Sequence, residues 1–306
     1  MRVIVEDCNK NNQKPSSMTA VIKIVLVVNF VIGVHLGIAF CFPGLFGKIV
    51  TTGCHLVKKS VRAIVESCAT TPPATVSTIR SPLLDQARQM ILVVSPEWGS
   101  VYGELRRYDR KSGNSKWQQE GEMIKVVLGG SGLAWTDDVR YPAQIESDPI
   151  IRHRYEGRSP AGIFALGEAF GYYIPEQLGW LNYDYKQTTR DLVCVNDDRS
   201  FYYNQLVDRY WTPSFDWSSD ESMDRSDDLY SLGVVINPKC SSPSCGKTPC
   251  TFLHIWQGDG VGTTGSTAMS KADMLCLLQW LDREMRPVIV QITKRDRSWI
   301  ANLPPE

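Results

Sequence analysis

The chain has 306 residues, 43% of them hydrophobic, and its 33 basic side chains balance its 33 acidic ones. This suits one globular domain of about 200–230 residues with an appendage. A neutral chain without a basic run does not favour a partner with a phosphate backbone, so we expect no nucleic-acid binding. The nine cysteines lack zinc-ligand spacing, so we expect no metal site and no cofactor.

An apolar segment near the N-terminus predicts a membrane anchor. After a tail of residues 1–23, residues 24–42 form an uncharged run long enough for a spanning helix. A cleaved signal peptide is the alternative, although its apolar core is normally shorter. Residues 43–87, which contain TTPPATVST, are typical of a stem or linker. We therefore expect the globular domain at 88–293 and a short tail at 294–306.

Short apolar runs separated by turn residues predict a mainly β domain with a few helices, of the α+β class. Four candidate strands stand out, at Met90–Val94, Gly103–Tyr108, Met123–Leu128 and Val234–Asn237.

Polar residues between these strands are candidates for binding a substrate. Arg158 can hold a carboxylate through two parallel hydrogen bonds, although a structural ion pair explains it equally well. A second group could line a peptide groove or simply hold a turn through side-chain hydrogen bonds to the backbone. Its members are Asp197, Ser200, Tyr203 and Asn204. We expect Glu221, which follows two serines, to cap a short helix.

Cysteines in the second half of the chain allow disulfides if the domain is extracytoplasmic. The pairs to test first are Cys194 with Cys250 and Cys240 with Cys245. Cys276 lies on the apolar face of a predicted helix and is expected to be a free core residue.

The stretch from Cys250 to Arg283 carries most of the candidate chemistry. A short apolar strand ends at His254-Ile255-Trp256, and a glycine-rich loop leads to Gly265-Ser266. A helix should follow, because Ser270 and Asp273 have the spacing of a capping box. We expect Pro287 to end this helix and Val288–Val290 to begin a buried strand.

This order suggests a base and a nucleophile. A helix start close to Ser266 would aim backbone N–H groups and the positive end of the helix dipole at a developing oxyanion. The loop can fold back to bring the imidazole of His254 to the hydroxyl of Ser266, the pairing that acyl transfer needs. We considered Asp259 and Asp197 as the group that orients the histidine.

Several segments together resemble a known family. They are FLHIW followed by GTTGSTAM at 252–269, GG-x-GLAW at 129–135, GRSPAG at 157–162 and CVNDDRSFYYN at 194–204. In this order they resemble the L,D-transpeptidase catalytic-domain (YkuD-like) family, over about residues 88–293. The resemblance implies a curled β-sandwich and acyl transfer that builds 3→3 cross-links in bacterial peptidoglycan.

The resemblance also assigns site residues. It implies His254 as the base, Gly265 before the nucleophile, and Ser266 at the position where the family has cysteine. Thr264 stands where many branches of the family have a second histidine. We also count Trp256 and Thr264 among the candidate substrate-binding residues.

The serine leaves the activity open, because a hydroxyl has a far higher pKa than a thiol and needs concerted proton removal. We expect either an L,D-transpeptidase-like acyltransferase or peptidase acting through His254 and Ser266, or a weak or inactive relative that binds muropeptide-like ligands. A structural protein that uses only the fold is a third alternative. Either way, the expected protein is a monomer, membrane-anchored through residues 24–42 or secreted, with its domain outside the cytoplasm and a peptidoglycan-like peptide as its partner.

Overall fold

The computed structural model describes residues 78–135, 156–236 and 250–305. These residues are mainly β, with 41% in strands and 13% in helices, which confirms the predicted class. The strands are β1 (Gln89–Ser95), β2 (Tyr102–Asp109), β3 (Gln118–Val127), β4 (Leu133–Trp135), β5 (Ser159–Gly171), β6 (Tyr185–Gln187), β7 (Leu192–Val195), β8 (Leu206–Asp208), β9 (Asp220–Ser222), β10 (Leu232–Ile236), β11 (Thr251–Ile255), β12 (Thr267–Met269) and β13 (Val288–Thr293). The helices are α1 (Pro82–Gln86) and α2 (Lys271–Trp280), with 3₁₀ turns at Pro175–Leu178, Arg283–Met285 and Arg297–Trp299. All four candidate strands are confirmed, as β1, β2, β3 and β10.

Eight of the described strands close into a barrel, in the order β10, β11, β12, β3, β2, β1, β13 and β5. An antiparallel pairing between β5 and β10, with Gly233 beside Phe170, joins the two ends of this series. The pairs β1–β13 and β11–β12 are parallel. The expected sandwich is therefore wrong in form, because closure satisfies the backbone groups that two separate sheets leave at their edges.

A small second sheet, in the order β8, β7, β9, lies outside the barrel. One of its faces contributes Leu192 and Cys194 to an apolar cluster with Phe170 and Phe252 of the barrel strands. This cover explains why β10 and β11 are buried along their whole length. Their alternate side chains, such as Leu253 and Ile255, belong to the main core, and the others face the second cluster.

Helix α2 begins as predicted and ends earlier than predicted. The Ser270 hydroxyl accepts from the Asp273 backbone N–H at 3.1 Å and donates to the Asp273 carboxylate at 2.6 Å. The helix stops at Trp280 rather than at Pro287. The reason is tertiary, since the N–H of Asp282 donates to the Gln89 side chain at 2.8 Å and the chain becomes extended there.

The packed region extends beyond the expected boundaries of 88–293. Leu84 is buried, and a β-bridge pairs Ile79 with Ile300. Trp299 also stacks on the fully buried Trp135, with ring centroids 6.4 Å apart. The predicted anchor at 24–42 lies outside the described residues. In the three described ranges, no helix combines the length and apolar character that crossing a membrane requires.

Candidate active site

His254 lies near the end of β11 and faces the second apolar cluster. Its neighbours Leu253 and Ile255 point into the main core, so strand alternation places the imidazole on the outer wall of the barrel. There it packs edge-to-face against Tyr230, with ring centroids 5.3 Å apart, and is only 6% exposed.

The surroundings keep this imidazole neutral and fix its tautomer. Burial lowers the pKa of His254 to about 4, against an ordinary value of 6.5, and the positive charge of Arg225 adds to the shift. Nδ1 lies 2.8 Å from the carbonyl oxygen of Ile255. A carbonyl only accepts, so Nδ1 carries the hydrogen and Nε2 carries the lone pair. His254 is therefore a neutral base over most of the pH range.

Ser266 immediately precedes β12 and neighbours the histidine strand. β12 pairs in parallel with β11, with Ala268 beside His254. Ser266 itself forms a bend just before the paired residues Thr267–Met269. One further step along the same register would set it beside Phe252, two residues before His254. The parallel pairing thus brings the two candidate residues onto adjoining parts of the chain.

The two side chains are neighbours without a direct hydrogen bond in the described structure. Ser266 Oγ accepts from the backbone N–H of Phe252 at 3.1 Å. Because the oxygen accepts there, its own O–H remains a donor. The expected helix start beside Ser266 is wrong, because β12 separates Ser266 from α2. The donor nearest the serine oxygen is thus a strand N–H rather than a helix N-terminus.

Two hydroxyls hold the backbone at Ser266. Its carbonyl accepts from Ser159 Oγ at 2.7 Å and from Thr263 Oγ1 at 2.5 Å. Gly265 before it has φ of 139°, a conformation that suits glycine. The Gly265 N–H donates to Thr263 Oγ1 at 3.1 Å, so this group closes the turn instead of facing a substrate as expected.

We expect Ser159→Ala to lower the free energy of unfolding by about 2 kcal/mol, because it leaves buried groups unpaired. The Ser159 hydroxyl also accepts from the N–H of Gly129 at 2.8 Å, so its loss removes two hydrogen bonds. Chemical denaturation measures the change. The exposed Ser112, bonded to Ser115, is the control, and Ser112→Ala should change stability little. Equal effects of the two substitutions would contradict the role of Ser159.

Tyr230 and Glu221 are site residues that the sequence did not reveal. The Tyr230 hydroxyl donates to the Glu221 carboxylate at 2.5 Å. Burial raises the pKa of both groups. Glu221 belongs to β9, so its expected role as a helix cap is wrong. Arg225 lies over the Tyr230 ring at 4.8 Å and forms a two-point ion pair with Asp227. These residues enclose the imidazole on the side of the small sheet.

The two carboxylates considered for orienting His254 bond elsewhere. Asp259 forms an exposed ion pair with Lys125 at 2.7 Å. Asp197 accepts from the hydroxyl and backbone N–H of Ser218, and these bonds hold the pKa of Asp197 well below its usual range. The group bonded to Nδ1 of His254 is instead the carbonyl of Ile255.

The group of Asp197, Ser200, Tyr203 and Asn204 makes contacts that fit a structural turn better than a peptide-binding groove. Ser200 donates to Asp216 at 2.5 Å, and the side-chain oxygen of Asn204 accepts from the N–H of Cys250 at 2.7 Å. The Tyr203 N–H closes the same turn on the Ser200 carbonyl. With Asp197, these residues build a loop at the end of β7.

The remaining candidates lie apart from one another. Arg158 donates to the carbonyls of Ser131 and Leu133 at 2.7 and 3.2 Å, a structural role. Trp256 is partly exposed just after β11. Thr264 is exposed in the loop before Ser266.

The disulfide expectations have three different outcomes. Cys194 and Cys250 form a disulfide, with Cα atoms 5.9 Å apart, which confirms that pair. The pair Cys240 and Cys245 lies outside the described residues. The expectation of a free Cys276 is wrong, because this residue is disulfide-bonded.

A surface cavity lies away from the candidate catalytic pair. It is lined by β5 and β13 residues and by Tyr183 and Arg286, and neither His254 nor Ser266 borders it. In the three described ranges, no group of three or more histidine, cysteine or acidic side chains is placed to hold a metal ion.

The arrangement offers a neutral base, a neighbouring hydroxyl and an N–H donor on that hydroxyl. These are the elements of nucleophilic acyl chemistry, although base and hydroxyl are not hydrogen-bonded to each other in the described structure. Comparison of the chain with models of protein families, with curated proteins and with solved structures finds no match.

Proposed function

We propose that this chain is an L,D-transpeptidase-like acyltransferase or peptidase that acts on peptidoglycan-type peptides. The observation that supports the proposal is the parallel pairing of β11 with β12, because Ser266 directly precedes β12 and bonds to Phe252 on the strand that carries His254. Segments that resemble this family occur in the family's order along residues 88–293, and together with the mainly β fold they support the same assignment. The proposal includes an L,D-transpeptidase-like fold for the domain.

In the proposed reaction, Nε2 of His254 removes the proton of the Ser266 hydroxyl while Oγ attacks the carbonyl carbon of a D-amino-acid-containing peptide. The protonated imidazole then gives its proton to the departing amine. A second amine or a water molecule attacks the acyl-serine and restores the hydroxyl. The N–H of Phe252 donates to Oγ and so holds the serine side chain in place, while the negative charge of the tetrahedral intermediate develops on the former carbonyl oxygen of the peptide.

The proposed setting is extracytoplasmic, with the chain anchored by residues 24–42 or secreted as a monomer. The disulfide between Cys194 and Cys250 supports this setting, because such bonds persist in oxidising compartments.

A second candidate is a muropeptide-binding protein with little turnover. It is favoured by the serine at the cysteine position and by the bond of Ser266 Oγ to Phe252 rather than to His254. Both features weaken the nucleophile, because a hydroxyl ionises less readily than a thiol and its proton has no hydrogen bond to His254 in the described structure.

Turnover of a muropeptide by the purified protein tests the two candidates. We expect Ser266→Cys to be faster than the wild type by roughly tenfold or more, about 1.4 kcal/mol of barrier, because a thiol ionises more readily beside an imidazole. His254→Ala should abolish turnover in either background. Val261→Cys, which adds an exposed thiol to the same loop, is the matched control.

The outcomes separate the candidates. Turnover by the wild type that depends on His254 supports the enzyme. A silent wild type that gains activity as Ser266→Cys supports the binding protein. Silence of both, or turnover that persists in His254→Ala, would refute the proposed site.

A further inference from the structure

The small sheet carries an unusual concentration of exposed aromatic side chains. Four of them are largely open to solvent: Phe201 at 82%, Trp211 at 76%, Tyr210 at 70% and Phe215 at 52%. Exposed apolar groups that cluster in one region of a soluble protein generally mark an interaction surface. All four lie between β7 and β9, within fifteen residues of the chain.

Phe201 and Phe215 belong to a series of packed rings on the face of the small sheet that points away from the barrel. Tyr202 packs against both Phe201 and Trp217 at 5.6 Å, and Phe215 packs on Trp217 at 4.8 Å. Trp217 lies over Val193, Val195 and Val207 of the sheet. We call this series, from Phe201 through Tyr202 and Trp217 to Phe215, the aromatic ladder.

A second aromatic pair follows β8, where Tyr210 and Trp211 contact edge-to-face at 4.8 Å. The preceding residue, Arg209, ion-pairs with Asp220, and the same carboxylate accepts the Trp217 indole N–H at 2.7 Å. The pair is thus connected to the ladder through one partly buried carboxylate. The pair follows β8 (Leu206–Asp208), whereas Phe201 precedes that strand.

Charge narrows the class of partner. Residues 189–222 carry seven acidic and three basic side chains, which disfavours nucleic acid and anionic lipid surfaces. Polar groups such as Arg199, whose side chain is 79% exposed, lie beside the rings. Two of the carboxylates are already paired, Asp197 with Arg199 and Asp220 with Arg209. The exposed rings suit an uncharged partner that has apolar faces with hydrogen-bonding groups around them.

We infer that the aromatic ladder and the Tyr210–Trp211 pair bind a neutral glycan chain. A pyranose ring has a face of weakly positive C–H groups, which complements the negative face of an aromatic ring. Its hydroxyls suit the charged and amide groups at the border of the patch. Two separate aromatic groups, the ladder and the Tyr210–Trp211 pair, suit an oligosaccharide better than a single sugar. This surface does not include His254 or Ser266, so it adds a glycan contact beyond the proposed peptide chemistry.

Binding of a peptide-free sugar tests the inference separately from catalysis. The probe is a β-1,4-linked tetramer of N-acetylglucosamine, titrated into the full chain by calorimetry and by saturation-transfer NMR. We expect saturable binding, with transfer strongest to the ring C–H protons. Ser266→Ala should bind equally well, so a failed proposal for catalysis would leave this result unchanged.

Substitutions assign the surface. We expect Trp211→Ala and Phe201→Ala each to weaken binding roughly tenfold, as the loss of one stacking contact implies. Trp180→Ala removes an aromatic that is 37% exposed outside the small sheet and should leave affinity unchanged. No saturable binding by the wild type, or equal binding by Trp211→Ala and Phe201→Ala, would overturn the inference. The inference would also be overturned if the wild type bound neutral phosphatidylcholine vesicles, or associated with itself, and these substitutions abolished that binding or association.

Discussion

Acidification from pH 7 to pH 4 is expected to destabilise the wild-type protein by about 3 kcal/mol more than a His254→Gln variant. Burial keeps the pKa of His254 near 4 in the folded protein, whereas the unfolded chain has the ordinary value of 6.5. Between these two values the unfolded state takes up a proton that the folded state does not. The contribution of the neutral histidine is therefore complete above pH 6.5 and is lost as the pH falls toward 4.

Urea denaturation at a series of pH values measures this difference. The comparison with His254→Gln is necessary because Glu221 acts in the opposite direction. Burial raises the pKa of Glu221, so its protonation favours the folded state as the pH falls. Both proteins keep Glu221, and its effect cancels in the difference. Parallel pH profiles for the two proteins would show that the imidazole is not held neutral by its surroundings.

The same depressed pKa bears on the proposed chemistry. A histidine that is neutral down to about pH 4 remains able to accept a proton in mildly acidic conditions. Its protonated form is correspondingly a strong acid toward a departing amine. The burial that makes His254 a weak base therefore favours proton donation to the departing amine over proton removal from Ser266. A thiol at position 266 would make the removal of that proton easier.

The secondary structure was predictable wherever the signal is local. β1 reads as a run of apolar residues and is buried along most of its length. The start of α2 is fixed by Ser270 and Asp273, three residues apart, and the hydrogen bonds follow that spacing. Patterns of this kind depend on neighbouring residues only, so one sequence suffices to detect them.

The closure of the barrel and the surroundings of His254 depend on contacts between residues that are far apart in the chain. β5 meets β10 across a separation of more than sixty residues, and no local pattern encodes that pairing. Tyr230 reaches His254 from a loop whose sequence is dominated by charged residues, so it reads as solvent-exposed. The partners of His254 therefore become visible only when the strands are placed together.

The position of Ser266 shows how a short element can be missed. The sequence places this residue close to the capping signal at Ser270, which favours a helix start. Thr267, Ala268 and Met269 instead pair with β11, and Ala268 also pairs with Val127 of β3. A strand of three residues has too few positions to show an alternating pattern. The Ser266 hydroxyl therefore accepts from a single N–H of the neighbouring strand instead of lying at the N-terminus of a helix.

Removal of the disulfide between Cys194 and Cys250 should have the largest effect on stability. The bond closes a loop with a sequence separation of 56 residues. The chain-entropy estimate for such a loop is about 4 kcal/mol. The bond also joins β7 of the small sheet to the residue before β11, so its loss loosens the cluster that covers the outer wall of the site.

The double variant Cys194→Ala with Cys250→Ala is therefore expected to lose about 4 kcal/mol in the free energy of unfolding, measured by chemical denaturation. Each single variant breaks the same bond, so each should cost nearly as much as the double variant rather than half of it. Loss of cover should also increase hydrogen exchange at the β11 amides, including Phe252, whose N–H donates to Ser266. Additive single effects, or unchanged exchange in β11, would mean that the bond does not hold the small sheet against the candidate site.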